Sequence, residues 1–401
     1  MHGGANYADA VTYTWFLLTK PADSSAVLSD TTIAEPSFVP DKTGTYNFSL
    51  EVTQNGATSE SDMVSVFAST RRYADIPVNI VAAEYDTSHD RMVIASTAPN
   101  KITFLNPSSG ATAATSLGIE PLCLALSPDN TKAAIGHAGF VSIVGLNGAT
   151  PSLVNTFTLS THNYNNKEVQ SIAINNEGHV FCFESDDQWI DLRRLSPSTG
   201  ADTFYYISLS EDAFVRLHPS NNSLYYIQRA LSSQDINWIN ISNPTSTAYT
   251  YTDSKYHGAY PTGQGMIFTE TGDRALMYRG SVFSINESGD NTTDRMYVNT
   301  FASALPDGTA RHLDHSSEAG LILAIPANGY LTTDNNQIIK YINASNYTQL
   351  RSVELPLFVQ ERVPSRAHGY YSFWNSTRTE TYVLIKSDSA VDAPDWDLIV
   401  Y

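Results

Sequence analysis

Seven short polar turns, each set between apolar runs, recur along residues 71–401 of this 401-residue chain. They are Asp86-Thr-Ser-His-Asp90, Ser127-Pro-Asp-Asn-Thr131, Asn175-Asn-Glu-Gly178, His218-Pro-Ser-Asn-Asn222, Glu270-Thr-Gly-Asp273, Asp314-His-Ser-Ser-Glu318 and Asn375-Ser-Thr-Arg378. The strands after them begin near Met92, Ala133, Val180, Leu224, Leu276, Leu321 and Tyr382, at steps of 41, 47, 44, 52, 45 and 61 residues. Within each unit the apolar residues alternate or form short runs, separated by Gly, Pro, Asn, Asp and Ser, and no long amphipathic helix pattern is present. That is the signature of many short strands. A unit of this length cannot bury its own apolar face, so it must stack on its neighbours.

The fold class that follows is all-β. Residues 71–401 are expected to form a seven-bladed β-propeller of four-stranded units. The ring must close. The last unit ends with Asp397-Leu-Ile-Val-Tyr401, a third strand without a fourth, and the segment 73–77 is placed to supply it. Closure of this kind removes exposed strand edges. Residues 1–70 read as a separate small β-sandwich. Val11, Tyr13 and Trp15 alternate with Thr12, Thr14 and Phe16, and Phe48, Leu50 and Val52 follow a turn in period two. The Asn55-Gly56 pair is a strong hairpin signal.

Two resemblances sharpen this reading. Leu126-Ser-Pro-Asp-Asn-Thr-Lys132 resembles the strand-turn-strand of YVTN-type and WD40-like propeller blades. Tyr13-Thr-Trp15, Lys20-Pro21, Phe38-Val-Pro40, Gly44-Thr-Tyr46 and the Leu50-Glu-Val52 to Asp62-Met-Val64 ending resemble a PKD domain, an immunoglobulin-like module. Only about ten residues precede its Tyr-x-Trp strand, where a PKD domain has a further strand, so the start reads as truncated and the chain as part of a longer parent with further domains. Together the resemblances imply a microbial surface-layer or adhesion protein. In those proteins the propeller usually comes first, whereas here the PKD-like module does.

Charge narrows the classes. Lys plus Arg is 23 and Asp plus Glu is 41, so the net charge is 23 − 41 = −18. That argues against nucleic acid, which needs a basic face, and against an anionic membrane surface. No apolar run reaches the roughly 18 residues of a membrane span, and Met1-His2-Gly3-Gly4 lacks the features of a signal peptide. Cys123 and Cys182 sit in apolar runs and read as buried free thiols. Phosphate-loop, nucleophile-elbow, His-Glu-x-x-His and Cys-x-x-Cys motifs are missing, so no cofactor is required.

The candidate binding face lies opposite the seven polar turns, where the inter-blade connections and the loops between second and third strands gather. Aromatic and charged residues on it suit a glycan or peptide: Trp189, Arg229, Trp238, His257, Tyr260, Tyr330, Arg366, His368 and Trp396. His257, His312 and His368, near inner strands of three successive units, raise a transition-metal site as an alternative. Asp186, Asp187, Asp392 and Asp395 are candidate calcium ligands in carboxylate-rich loops. His218 and His315 read as solvated turn residues, and Asn-x-Ser/Thr sites recur along the chain, for instance at Asn47, Asn240, Asn286, Asn291, Asn343, Asn346 and Asn375.

The function expected from this reading is non-catalytic recognition or adhesion, outside the cell or at its surface. The partner is a polysaccharide or a surface protein on the propeller loop face. The alternative is a polysaccharide lyase or glycoside hydrolase at the channel mouth, using Asp187, Asp235, His257, Arg366 and His368. A second alternative is a structural spacer of a surface layer or filament.

Overall fold

The structure is a computed structural model describing residues 11–42, 44–68, 73–76, 78–161, 168–185, 189–210, 212–230, 234–246, 248–305, 308–327, 335–356, 358–360, 363–387 and 396–401. The chain divides into two compact units, Met1–Arg72 and Tyr73–Tyr401.

In the first unit the long strand Gly44–Gln54 pairs with Val11–Thr19 on one side and with Ala57–Thr58 and Asp62–Ala68 on the other. Asn55 and Gly56 both have positive φ, 51° and 79°, the backbone that the Asn-Gly signal demands of a two-residue hairpin. Trp15, Tyr46, Phe48 and Leu50 alternate onto one face and form the core with Ala26. The expected sandwich is not what covers them. Among the described residues the segment 20–42 carries only the Leu28–Phe38 bridge, so irregular chain lies over the sheet in place of a second sheet. Side chains fix that chain. Trp15 Nε1 donates to the Ile33 carbonyl (3.1 Å), and Asp41 accepts from Ser24 and Ser25, bonds that hold its carboxyl below the usual range.

The second unit contains seven four-stranded antiparallel sheets among the described residues. Blade 1 comprises Asn79–Asp86, Arg91–Thr97, Lys101–Leu105 and Thr112–Ser116. Blade 2 comprises Cys123–Leu126, Lys132–Gly136, Phe140–Gly145 and Ser152–Thr158. Blade 3 comprises Val169–Ile174, Val180–Glu184, Trp189–Leu195 and Asp202–Ser210. Blade 4 comprises Ala213–Leu217, Ser223–Gln228, Ile236–Asn240 and Tyr251–Thr252. Blade 5 comprises Met266–Phe268, Arg274–Met277, Ser281–Ser284 and Met296–Thr300. Blade 6 comprises Ala310–Ser316, Leu321–Pro326, Ile338–Asn343 and Gln349–Glu354. Blade 7 comprises Ala367–Trp374, Thr381–Ser387 and Trp396–Val400, completed by Tyr73–Ile76 from the start of the unit. That outer strand pairs Ile76 with Trp396 and Tyr73 with Ile399, so the two ends of the array share one sheet.

Stability comes from between the blades. Seven apolar clusters each join two consecutive blades, including the cluster of Ile80, Ala83, Met92 and Ile94 with Phe373, Tyr382 and Leu384 that seals blade 7 to blade 1. Second strands such as Arg91–Thr97 and Val180–Glu184 are buried on both faces and therefore read as continuous apolar runs. Buried arginines stitch neighbours through backbone carbonyls. Arg91 stacks on Phe104 (3.5 Å) and donates to Leu146 and Gly148 of blade 2, and Arg194 donates to Pro244 and Ser246 of blade 4.

The polar turns have two jobs. Each inner strand ends or continues into one buried polar residue: Asp86, Ser127, Asn175, His218, Thr269, Ser316 and Asn375. Each side chain accepts a backbone N–H from its own turn: Ser88, Lys132, His179, Ser220, Arg274, Ala319 and Thr379 respectively. A buried N–H left without a partner is costly, so these bonds allow the tight reversal inside the packed ring. The turns also bond to one another around the ring. Asn130 donates to Thr87, Asp129 N–H to Asn176, Asn176 N–H to Asn221, His218 Nε2 to Gly272, and Ser317 N–H to Glu270. Trp374 N–H to Asp314 and Ser376 N–H to Asp90 complete the circle.

Three sequence readings change here. Asp314 and His315 belong to the inner strand of blade 6, and the turn follows Ser316. His218 and His315 are buried rather than solvated, because each bonds across to another blade, His218 to Gly272 and His315 Nδ1 to Glu270 (2.5 Å). Asn375 is buried as a turn cap and is not an accessible glycosylation acceptor.

Candidate functional site

Two features of the ring present chemistry: the loop face opposite the polar turns, and the channel enclosed by the seven inner strands.

On the loop face Trp189 begins the third strand of blade 3 and is 57% exposed. Arg229 follows the second strand of blade 4. It pairs with Asp212 (Nη2–Oδ1 2.5 Å) and donates to the Gln264 carbonyl (3.2 Å), which ties it to the channel mouth. His257 is exposed in the connection after blade 4 and has φ 46°, before Gly258 at φ 81°. The buried Asp235 carboxylate caps that reversal, accepting the Gly258 N–H at 2.6 Å with His257 Nδ1 at 3.9 Å, and burial raises its pKa. Tyr260 is half-buried and stacks flat on Tyr297, centroids 3.8 Å apart at 5°. Arg366 is exposed just before the inner strand of blade 7.

The remaining candidates go elsewhere. Trp238 and Trp396 are 4% and 2% exposed. Trp238 packs between blades 4 and 5 against Gly289, where a Cβ would lie 2.3 Å from the indole, and Trp396 packs between blades 7 and 1 with Tyr370 against its edge. Third-strand tryptophans are therefore inter-blade packing at these two positions and surface only at Trp189. His368 is buried at the inner strand of blade 7, its Nδ1 2.5 Å from Asn336 Oδ1. His257, His312 and His368 do not converge, and among the described residues no group of three His, Cys, Asp or Glu is placed to hold a metal. Tyr330 and the candidate calcium ligands Asp186, Asp187, Asp392 and Asp395 lie outside the described residues. Of the catalytic candidates, Asp187 is likewise outside them; Asp235, His257 and His368 do not line the channel. Cys123 and Cys182 are free, and burial pushes the Cys123 thiol up to about 12.

The channel encloses about 730 Å³ and is lined from all seven inner strands. An ion pair crosses it: Arg216 Nη1 of blade 4 lies 3.1 Å from Glu84 Oε1 of blade 1. The two residues stand at one height, each two positions before a buried turn cap, His218 and Asp86. His312 of blade 6 borders the pair. Burial and then the Arg216 charge lower its pKa to about 3, and its Nδ1 accepts the Ser372 N–H (3.3 Å). Asp314, two residues on, accepts the Trp374 and His315 N–H groups; burial nevertheless raises it to about 6. Tyr278, raised to about 12 by burial, and Arg311, seated 3.6 Å over the Tyr370 ring, complete this wall. The wall of blades 1 to 3 is small by contrast, with Ala82, Cys123, Ala125 and Ala173. Sequence reasoning passed over Glu84 and Arg216. The available signal was a charge inside an otherwise apolar inner strand, as in Phe214-Val-Arg-Leu217.

No protein-family model matches the chain, and no curated protein matches it. Among solved structures, the β-propeller domain of Myceliophteria thermophila Cps50 (Swd1) matches with a TM-score of 0.57 at 10% sequence identity, covering 82% of this chain and 99% of that one. The likeness at that identity is one of fold: the chain contains a β-propeller similar to that domain.

Proposed function

We propose that this protein is a non-catalytic recognition module that docks a protein partner on its propeller loop face. Trp189 carries the reading. It is 57% exposed, while Trp238 and Trp396 on equivalent third strands are packed between blades. An indole left in water suits an interface, where aromatic residues and Arg are enriched and act as anchors. Arg229, held by Asp212 and Gln264, supplies a preset polar contact on the same face. The net charge of −18 and only 23 Lys plus Arg favour work outside the cell or at its surface, and a basic patch on the partner.

The test is a photo-crosslinking residue at position 189, with the same residue at 350 on the outer strand of blade 6 as control. A partner captured at 189 alone, competed by unlabelled wild type but not by Trp189→Ala, supports the reading. Equal capture at both positions, or competition by Trp189→Ala, overturns it. A glycan array run beside it separates the polysaccharide alternative: glycan binding that disappears in Trp189→Ala would transfer the face from a protein to a sugar.

A further inference from the structure

The channel holds more hydrogen-bond donors than its own acceptors satisfy. The chain as a whole is strongly acidic at −18, yet four arginines line this one cavity: Arg216, Arg229, Arg311 and Arg378. Toward the polar turns Arg378 lies 3.6 Å from Glu270, and Asp314, level with Arg216 and two positions before its own cap Ser316, is bonded to backbone N–H groups. Toward the loop face Arg229 is paired with Asp212, but the donors between these two ends are only partly matched. Arg216 commits one nitrogen to Glu84. Arg311 lies on the Tyr370 ring and has no carboxylate partner among the described residues. Because His312 Nδ1 accepts the Ser372 N–H, its hydrogen sits on Nε2, which has no acceptor among the described residues, and neither has the Tyr278 hydroxyl. Both side chains line the open space.

We propose that the part of the channel on the loop side of the Arg216–Glu84 pair binds a small organic carboxylate, seated on Arg216 with His312, Tyr278 and Arg311 around it. A planar guanidinium matches a carboxylate bidentately, and Glu84 already occupies one nitrogen of that fork as an internal stand-in. A neutral imidazole and a phenol add donors without charge. The space over Ala82, Ala125 and Ala173 leaves room for the body of the ligand, and about 730 Å³ is the size of a small-molecule site rather than that of a bare ion. The site is separate from Trp189 and does not depend on docking at the loop face.

Isothermal titration of the full chain with citrate, and with inorganic phosphate in parallel, tests this. Citrate is expected to bind saturably with one site, and phosphate at least about tenfold more weakly. Arg216→Gln should weaken citrate at least about tenfold, the scale of a lost charge-assisted contact. Glu84→Gln should tighten it severalfold by freeing the fork, a gain that misfolding cannot produce. Trp189→Ala should leave citrate affinity unchanged. Three results each overturn the proposal: no saturable citrate binding to wild type or Glu84→Gln; unchanged affinity in a folded Arg216→Gln; or phosphate binding as tightly as citrate.

Discussion

Gly272 and Gly320 give adjacent blades their left-handed turn residue, with φ 75° and 64°. Their surroundings differ. A Cβ at Gly320 meets nothing within 4 Å, whereas one at Gly272 would lie 2.1 Å from His218 Nε2. Gly320→Ala therefore carries only the backbone cost of an L-residue at positive φ, about 1 kcal/mol. Gly272→Ala carries that and must also push aside a ring that is 4% exposed. The His218 Nε2 bond to the Gly272 carbonyl (2.9 Å) is then lost, and an orphaned buried donor costs about 1–3 kcal/mol. The expected loss is about 3 kcal/mol against about 1. Urea unfolding followed by circular dichroism, at matched m-values, measures both. In a His218→Ala background the Gly272→Ala step should shrink to about 1 kcal/mol, a coupling of about 2 kcal/mol. Equal losses for the two glycine variants, or no coupling to His218, would refute the claim that the turn belt carries inter-blade stability.

The other predictions concern the tryptophans, the channel and the closure. Trp238→Ala and Trp396→Ala should each cost about 3–5 kcal/mol, as buried aromatic deletions do, while Trp189→Ala should stay within about 0.5 kcal/mol; thermal and urea unfolding of the three separates packing from surface roles. His312 and Asp314 should oppose each other in the pH dependence of stability. The lowered His312 pKa, about 3 against 6.5, means the unfolded chain takes up more protons, so its contribution is lost as pH falls through that window. The raised Asp314 pKa, about 6 against 3.8, means the folded chain takes up more, so its contribution is lost as pH rises from about 4 to 6. Asp314→Asn should therefore lose stability more steeply than wild type on acidification from pH 6 to 4, and a parallel profile would refute the assignment. Finally, a chain beginning at Tyr73 should fold and associate no more than the full chain, whereas one beginning at Val78 lacks the outer strand paired with Trp396–Val400 and should self-associate through that bare edge, as read by light scattering.

Much of the fold was legible because the repeat is written in turn chemistry. Five of the seven turns began at the residue that the structure buries as the cap or at its strand end: Asp86, Ser127, Asn175, His218 and Asn375. The other two, around Thr269 and Ser316, were displaced by one or two residues because neighbouring Glu270, Asp314 and His315 are polar as well, and polarity alone does not say which side chain turns inward. The closing strand was legible because an unpaired third strand at the end of the array needs a partner, and 73–77 was the apolar segment left over at its start. The small first unit was less legible. Its apolar residues alternate as in a sandwich, but 20–42 keeps its place through Trp15 to Ile33 and Asp41 to Ser24 and Ser25 contacts, which carry no strand periodicity.

The sequence by itself determined the all-β class, the number of repeating units and the place of the ring closure, since these follow from the spacing of apolar runs and turn residues along one dimension. Only the tertiary structure decided which charged and aromatic side chains meet. Glu84 and Arg216 are 132 positions apart and pair because a ring brings blades 1 and 4 face to face across an axis. Trp189, Trp238 and Trp396 look alike in sequence, and it is the neighbouring blade that covers two of them and leaves the third in water. Local spacing encodes strand and turn, but contact across a closed ring depends on curvature summed over every blade, and no single stretch of chain contains that information.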